Sequence, residues 1–159
     1  MNDTVESDGR VLLVMGCPEV PVQMAIGLYL AHMFRKEGKE VTVAGNPSVL
    51  HLLRISDPDG HYVPAMIDLD RCIGQMVEKK KDYGIVVTFV HNDAGISYAA
   101  TMRHISKGRL VVLVFGRNAE PLGAEIDFPC EKVVEAAVHN PGKLRQKVNE
   151  VFGWRASTS

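Results

Sequence analysis

Several segments of this chain are apolar almost without interruption, and they restrict the fold more than any other feature. Arg10–Met15 reads RVLLVM, Gly84–Val90 reads GIVVTFV and Leu110–Phe115 reads LVVLVF. None alternates between apolar and polar residues. A strand with one wet face alternates; a strand buried on both faces does not. Each run ends in a tight turn and is followed by residues of helical period. Two further strands are expected, at Glu40–Ala44 and Lys132–Val138. Strands alternating with helices specify a parallel sheet covered on both faces, and right-handed crossovers leave few topologies. The expected architecture is a three-layer α/β/α domain with a mainly parallel, five-stranded sheet in the flavodoxin-like order 2-1-3-4-5. Ala119–Cys130 has no clean period, contains Pro121, Gly123 and Pro129, and is expected to be loop with at most a short helix; an extra edge strand would come from there.

The helices follow from apolar spacing and from stop signals. The first is expected over Pro21–Lys36, with Gly38 beyond its end. A short one opens at Asn46-Pro47, where asparagine caps and proline fits the first turn. A third spans Asp68–Lys80 on a stripe of Leu69, Cys72, Ile73, Met76 and Val77. A fourth runs over Ala94–Ser106, and a last one carries Leu144, Val148, Val151 and Phe152. The first helix is apolar around most of its circumference. Such a helix is sandwiched in the domain or pressed on a partner, and a homodimer contact is the expectation.

The chain of 159 residues is expected to form one domain over 10–154, with a disordered lead-in over 1–9 and a tail over 155–159. The net charge of −1 argues against a broad nucleic-acid interface, which needs a basic face, although a local basic patch is compatible with it. No apolar run has the length of a membrane span. The polar start MNDTVESDG is unlike a signal peptide. Three widely spaced cysteines suit reduced thiols. A cytoplasmic protein is expected.

In a parallel sheet every post-strand turn lies on one edge, and ligands bind there, where strand order reverses. The reversal point brings Cys17-Pro18-Glu19 beside His91-Asn92-Asp93. Neighbouring turns add Asn46, Arg117, His139 and Asn140. Cys17 stands just before a helix start, where a thiol becomes reactive, or it is a small packed residue. His91 is a proton shuttle, a metal ligand or a satisfied structural histidine. Asn46, Asn92, Asp93 and Asn140 are all explained by helix capping. Cys17, His91 and His139 would make a three-ligand metal set, but spacings across three turns are not specific to a metal. The expected catalytic group is Cys17 as nucleophile or ligand, His91 as acid–base group or ligand and Asp93 as orienting carboxylate. Pro18, Asn46, Asn92, Arg117, His139 and Asn140 are expected around a small-molecule ligand, and helix amides at Val20–Val22 and Ala94–Ile96 could hold an anionic group. The alternative is a non-enzymatic subunit that uses the apolar helix 21–36 as its interface.

Several classes are unsupported. No G-x-G-x-x-G follows the first strand, and there is no G-x-x-x-x-G-K-[ST]. The corrinoid pattern D-x-H-x-x-G, the nucleophile elbow G-x-S-x-G and a C-x-x-C pair are missing. No arginine follows Cys17 at phosphatase spacing. These residues name no cofactor.

Gly16-Cys17-Pro18-Glu19-Val20-Pro21-Val22-Gln23, Val43-Ala44-Gly45-Asn46-Pro47, Asp57-Pro58-Asp59-Gly60-His61-Tyr62 and His139-Asn140-Pro141 resemble a family of small proteins from methanogenic archaea, a domain of unknown function. The resemblance covers about Arg10–Phe152. It implies an α/β/α fold, the cytoplasm of an anaerobe and reduced thiols. It implies no catalytic residue.

Overall fold

A computed structural model describes residues 7–155. Six parallel strands form one sheet: β1 (Arg10–Val14), β2 (Glu40–Gly45), β3 (Ala65–Asp68), β4 (Ile85–Val90), β5 (Arg109–Val114) and β6 (Glu131–Val134). Their order is β3-β2-β1-β4-β5-β6. The helices are α1 (Val22–Lys36), α2 (Pro47–Ser56), α3 (Leu69–Val77), α4 (Asp93–Ile105), α5 (Ala119–Glu125) and α6 (Gly142–Phe152).

The expectation of five strands is corrected. The sixth, β3, is an edge strand beside β2, at the opposite edge from Ala119–Cys130. Its sequence AMID is four residues long and only half-buried, so it lacks the apolar run that marks the central strands. Pro64 stands just before it, a position that donates nothing to the ladder. Ala119–Cys130 contributes α5 instead. The other five strands keep the expected relative order, so the reversal still falls between β1 and β4. The last strand stops at Val134, because Ala137 N–H turns back to the Glu135 carbonyl at 2.7 Å. The lead-in expected over 1–9 lies mostly outside the described residues, as does 156–159 of the expected tail.

Apolar burial on both faces explains the unbroken runs. On one face Val11, Leu13, Val87, Val111 and Leu113 pack beneath α1, α2 and α6. On the other, Leu12, Val14, Val86, Val112 and Val114 pack beneath α3, α4 and α5. Adjacent residues of one strand therefore enter different cores, which is the period-two geometry of a strand. The inward side of α1 is Val22, Ile26, Gly27, Leu30, Ala31 and Phe34, and Met24 and Leu28 pack at the margins of the same core. Phe34 also meets Phe152 at 5.1 Å and Trp154 at 5.0 Å. Much of the apolar circumference of α1 is thus used within the chain.

At the far end of α3, Val77 is 58% exposed. The helix stops there, so the apolar stripe read from the sequence overruns the core by one residue. Among the described residues, no helix is long and apolar enough to cross a membrane.

Candidate functional site

The turn after β1 is held from several sides. Gln23, in the first turn of α1, is wholly buried. Its Nε2 donates to the Gly16 carbonyl at 2.9 Å, and its Oε1 accepts from the Gly16 N–H at 3.2 Å. The Cys17 carbonyl accepts from Glu19 N–H at 2.8 Å and pairs with His91 Nε2 at 2.9 Å. A carbonyl only accepts, so His91 carries its proton on Nε2. His91 lies so close that a Cβ on Gly16 would be 3.3 Å from Nε2. Asn46 Nδ2 donates to Cys17 Sγ at 2.9 Å, while its Oδ1 caps α2 through Val49 N–H at 3.0 Å. The turn is thus a preorganised rim, with its thiol oriented by an amide from the neighbouring turn.

Replacing Gln23 with leucine should keep the packing volume and strip both groups of Gly16 of their partner. A loss of about 2 kcal/mol is expected, measured by urea unfolding. Unchanged stability would mean that the turn needs no clamp.

Beside this turn a cleft of about 230 Å³ opens between the ends of β1 and β4, on the face covered by α3 and α4. It is lined by Cys17, Asn46, Asp68, Asp70, Thr88 and Asn92, with apolar walls that include Leu69, Phe89 and Tyr98. Thr88 pairs across the sheet with Val14. It is 1% exposed, and among the described residues its Oγ1 has no hydrogen-bond partner. Buried polar groups are nearly always paired, so such an atom in a cleft wall has a physical cost that a ligand would remove.

Three helix starts converge here. Asn46 caps α2, Asp68 Oδ1 accepts from Asp70 N–H and Arg71 N–H at the start of α3, and Asn92 Oδ1 accepts from Gly95 N–H at 3.1 Å at the start of α4. Gly95 lets α4 approach the sheet, since a Cβ there would be 3.0 Å from Val90 Cα. Asp70 adds a carboxylate to the first turn of α3, and among the described residues no lysine, arginine or histidine lines the cleft.

The residues singled out from sequence fall in different places. Cys17, Asn46 and Asn92 line the cleft; Asp93 is exposed in the first turn of α4 and is not among the lining residues. His91 reaches the backbone of Cys17 and rests 5.6 Å from the Phe115 ring. The Cys17 thiol is met by the Asn46 amide rather than by His91. Pro18, Arg117, His139 and Asn140 lie outside the cleft lining. Asn140 Oδ1 accepts from Gly142 N–H at 2.9 Å, a local turn bond. Among the described residues, no group of three or more His, Cys, Asp or Glu side chains is placed to hold a metal ion. Thr88, Gln23, Asp68 and Asp70 are absent from the sequence-based set. Burial raises the thiol of Cys72, which is wholly buried, and that of half-buried Cys130.

Strand order and cleft define a doubly wound α/β protein with the topology of dinucleotide-binding domains and without their glycine fingerprint. The chain belongs to the DUF1890 family, a domain of unknown function, whose sequence profile matches residues 12–151. It is 30% identical over 146 residues to the uncharacterised protein MJ0452 of Methanocaldococcus jannaschii, a match spanning 89% of this chain and 96% of that protein. The solved structure of MT0777 is similar, with a TM-score of 0.85 and 35% identity over 93% of this chain and 99% of that one.

Proposed function

We propose that the protein binds a small uncharged or cationic molecule, rich in hydrogen-bond donors, in the cleft between β1 and β4. The observation that carries this reading is Thr88 in the cleft wall, whose buried Oγ1 has no partner among the described residues. Position supports it, since the cleft lies at the reversal of strand order. Charge selects the ligand class. The three helix starts are already capped, and the rim carries Asp68 and Asp70 with no cation opposite them. An anion would meet two carboxylates there; an amine, an amide or a hydroxyl would meet acceptors.

Cys17 would contact the ligand from the turn. A thiol nucleophile is activated by a base within reach or by groups that favour its thiolate; the group placed on Sγ is the Asn46 amide, a donor that cannot take the thiol proton. Binding is therefore the reading favoured over covalent catalysis.

The test is protection of a thiol. The full chain is titrated with agmatine, adenosine and myo-inositol, with inorganic phosphate as the anionic control, while iodoacetamide labels Cys17. A member of the first group should slow Cys17 labelling and move backbone NMR signals at 14–17, 68–70 and 88–95, and phosphate should do neither. Protection by phosphate alone would reverse the charge argument. If none of the three protects at millimolar concentration, the reading fails.

A further inference from the structure

We propose that the opposite edge of the sheet carries a second site, for a small multiply charged anion such as inorganic pyrophosphate. At the N-terminal ends of β1, β2 and β3 lies a hollow of about 310 Å³. Among the described residues four cations line it, Arg10, Arg35, Lys39 and Lys81, with Glu40 as the one carboxylate. They come from four separate places: the first residue of β1, the last turn of α1, the turn before β2 and the loop before β4. Only the folded chain brings them together.

For Arg35, Lys39 and Lys81 the partners leave the charge unbalanced. Arg35 Nη1 donates to the carbonyl of His61, and Lys39 Nζ to the carbonyl of Asp8 at 3.1 Å. Both acceptors are neutral. Lys81 Nζ stands 5.7 Å from the centroid of the Tyr83 ring. Arg10 lies 3.8 Å from the exposed carboxylate of Glu40, so the site's free charge rests on the other three cations. Like charges gathered around one hollow repel one another over distances comparable to the Debye length, about 8 Å at physiological salt. A compact anion removes that repulsion and gains several charge-assisted hydrogen bonds at once.

The occupant is limited in size. The hollow is bounded by Val41, Pro64 and Ala65. Beyond Lys81, the cation Lys80 is paired with Glu78 at 2.7 Å rather than continuing the basic lining. The chain as a whole carries a net charge of −1. A short oligophosphate fits these bounds, whereas a nucleic-acid strand needs an extended basic track. The site lies at the strand ends remote from the cleft, so it stands or falls independently of the ligand proposed there.

The experiment is a titration of the full 15N-labelled chain with sodium pyrophosphate at constant ionic strength, without divalent metals. Backbone signals at Arg10, Arg35, Lys39–Thr42 and Lys81 should move together and saturate, and the thermal midpoint should rise. The Lys39→Gln/Lys81→Gln double variant should bind roughly tenfold more weakly. Glu40→Gln removes the opposing carboxylate at an exposed position and should bind a few-fold more tightly. That variant provides a gain-of-binding test even if the double variant folds poorly. The proposal is overturned if the shifts are scattered or fail to saturate at millimolar concentration. It is overturned as well if sodium chloride of equal ionic strength reproduces them, or if Glu40→Gln leaves the affinity unchanged. Tighter binding of a single-stranded 12-mer oligonucleotide than of pyrophosphate would also overturn it, in favour of a nucleic-acid surface.

Discussion

Asp57→Ala is expected to destabilise the chain by about 3 kcal/mol, the largest loss anticipated for any polar residue discussed. One carboxylate holds the whole turn that leads into β3. Its Oδ1 accepts from His61 N–H at 2.7 Å, and its Oδ2 accepts from Tyr62 N–H at 3.0 Å and Val63 N–H at 2.8 Å. Asp57 is 7% exposed and Val63 2% exposed, so the donors released by the substitution do not all recover water. For a chain of this size the thermal midpoint should fall by about 6–12 °C. Burial raises the carboxyl pKa of Asp57, but the three backbone donors and the nearby His61 outweigh it and hold the group below its ordinary value. Its folded pKa is the lower one, so the contribution is complete above the unfolded value of about 4 and is lost as the pH falls through the folded value. Asp57→Asn can keep an oxygen on Tyr62 and Val63 but presents an amide to His61. It should cost less than alanine at neutral pH and flatten the acid limb of the stability curve. Urea midpoints measured from neutral pH into the acid range check both statements. An acid limb identical in the wild type and Asp57→Asn would show that this carboxylate does not set it.

Thr88→Val should stabilise the ligand-free protein by about 1 kcal/mol and weaken binding in the cleft by roughly tenfold or more. The two side chains have nearly the same shape. Valine removes a hydroxyl whose burial is uncompensated in the free protein, where Oγ1 has no partner among the described residues. Thr88 is among the residues that line the cleft, and the proposed ligand reaches this oxygen by a small displacement of the cleft wall. Stability and affinity should therefore change in opposite directions, which a general packing defect would not produce. Thr88→Ser retains the hydroxyl and should retain more of the affinity. The readouts are the urea midpoint and the concentration of agmatine, adenosine or myo-inositol that half-protects Cys17. Destabilisation by valine would show that the hydroxyl is already satisfied.

The central strands were legible because burial on both faces leaves one signature in composition. Val11–Met15, Ile85–Val90 and Leu110–Val114 have no wet side to advertise. The edge strand β3 was not legible, because Ala65–Asp68 is half-exposed and its pairing with Thr42–Gly45 depends on backbone geometry more than on side chains. α5 was legible only as at most a short helix in a loop, because Pro121 and Gly123 read as breakers. Pro121 lies in the helix's first turn, where its missing N–H is no loss. At Gly123 a Cβ would be 2.9 Å from Val134, so glycine there serves close packing on β6. In the site, the turn residues Cys17, Asn46 and Asn92 could be found from their place after strands. Thr88 could not, since within an apolar run it reads as one more β-branched strand residue. Asp68 and Asp70 were concealed with β3. The tie between His91 and the Cys17 carbonyl was beyond sequence, because proximity of two turns does not say which atoms meet.

The pair of hydrogen bonds between Gln23 and Gly16 acts as a ruler. It requires the glycine and the glutamine to stay seven positions apart, because the same amide must reach both an N–H and a carbonyl of one residue. The exposed residues between them, Glu19 and Pro21, can change in size and polarity without disturbing that span. A single inserted or deleted residue would carry the amide past its partner. The length of this segment should therefore tolerate less variation than its composition.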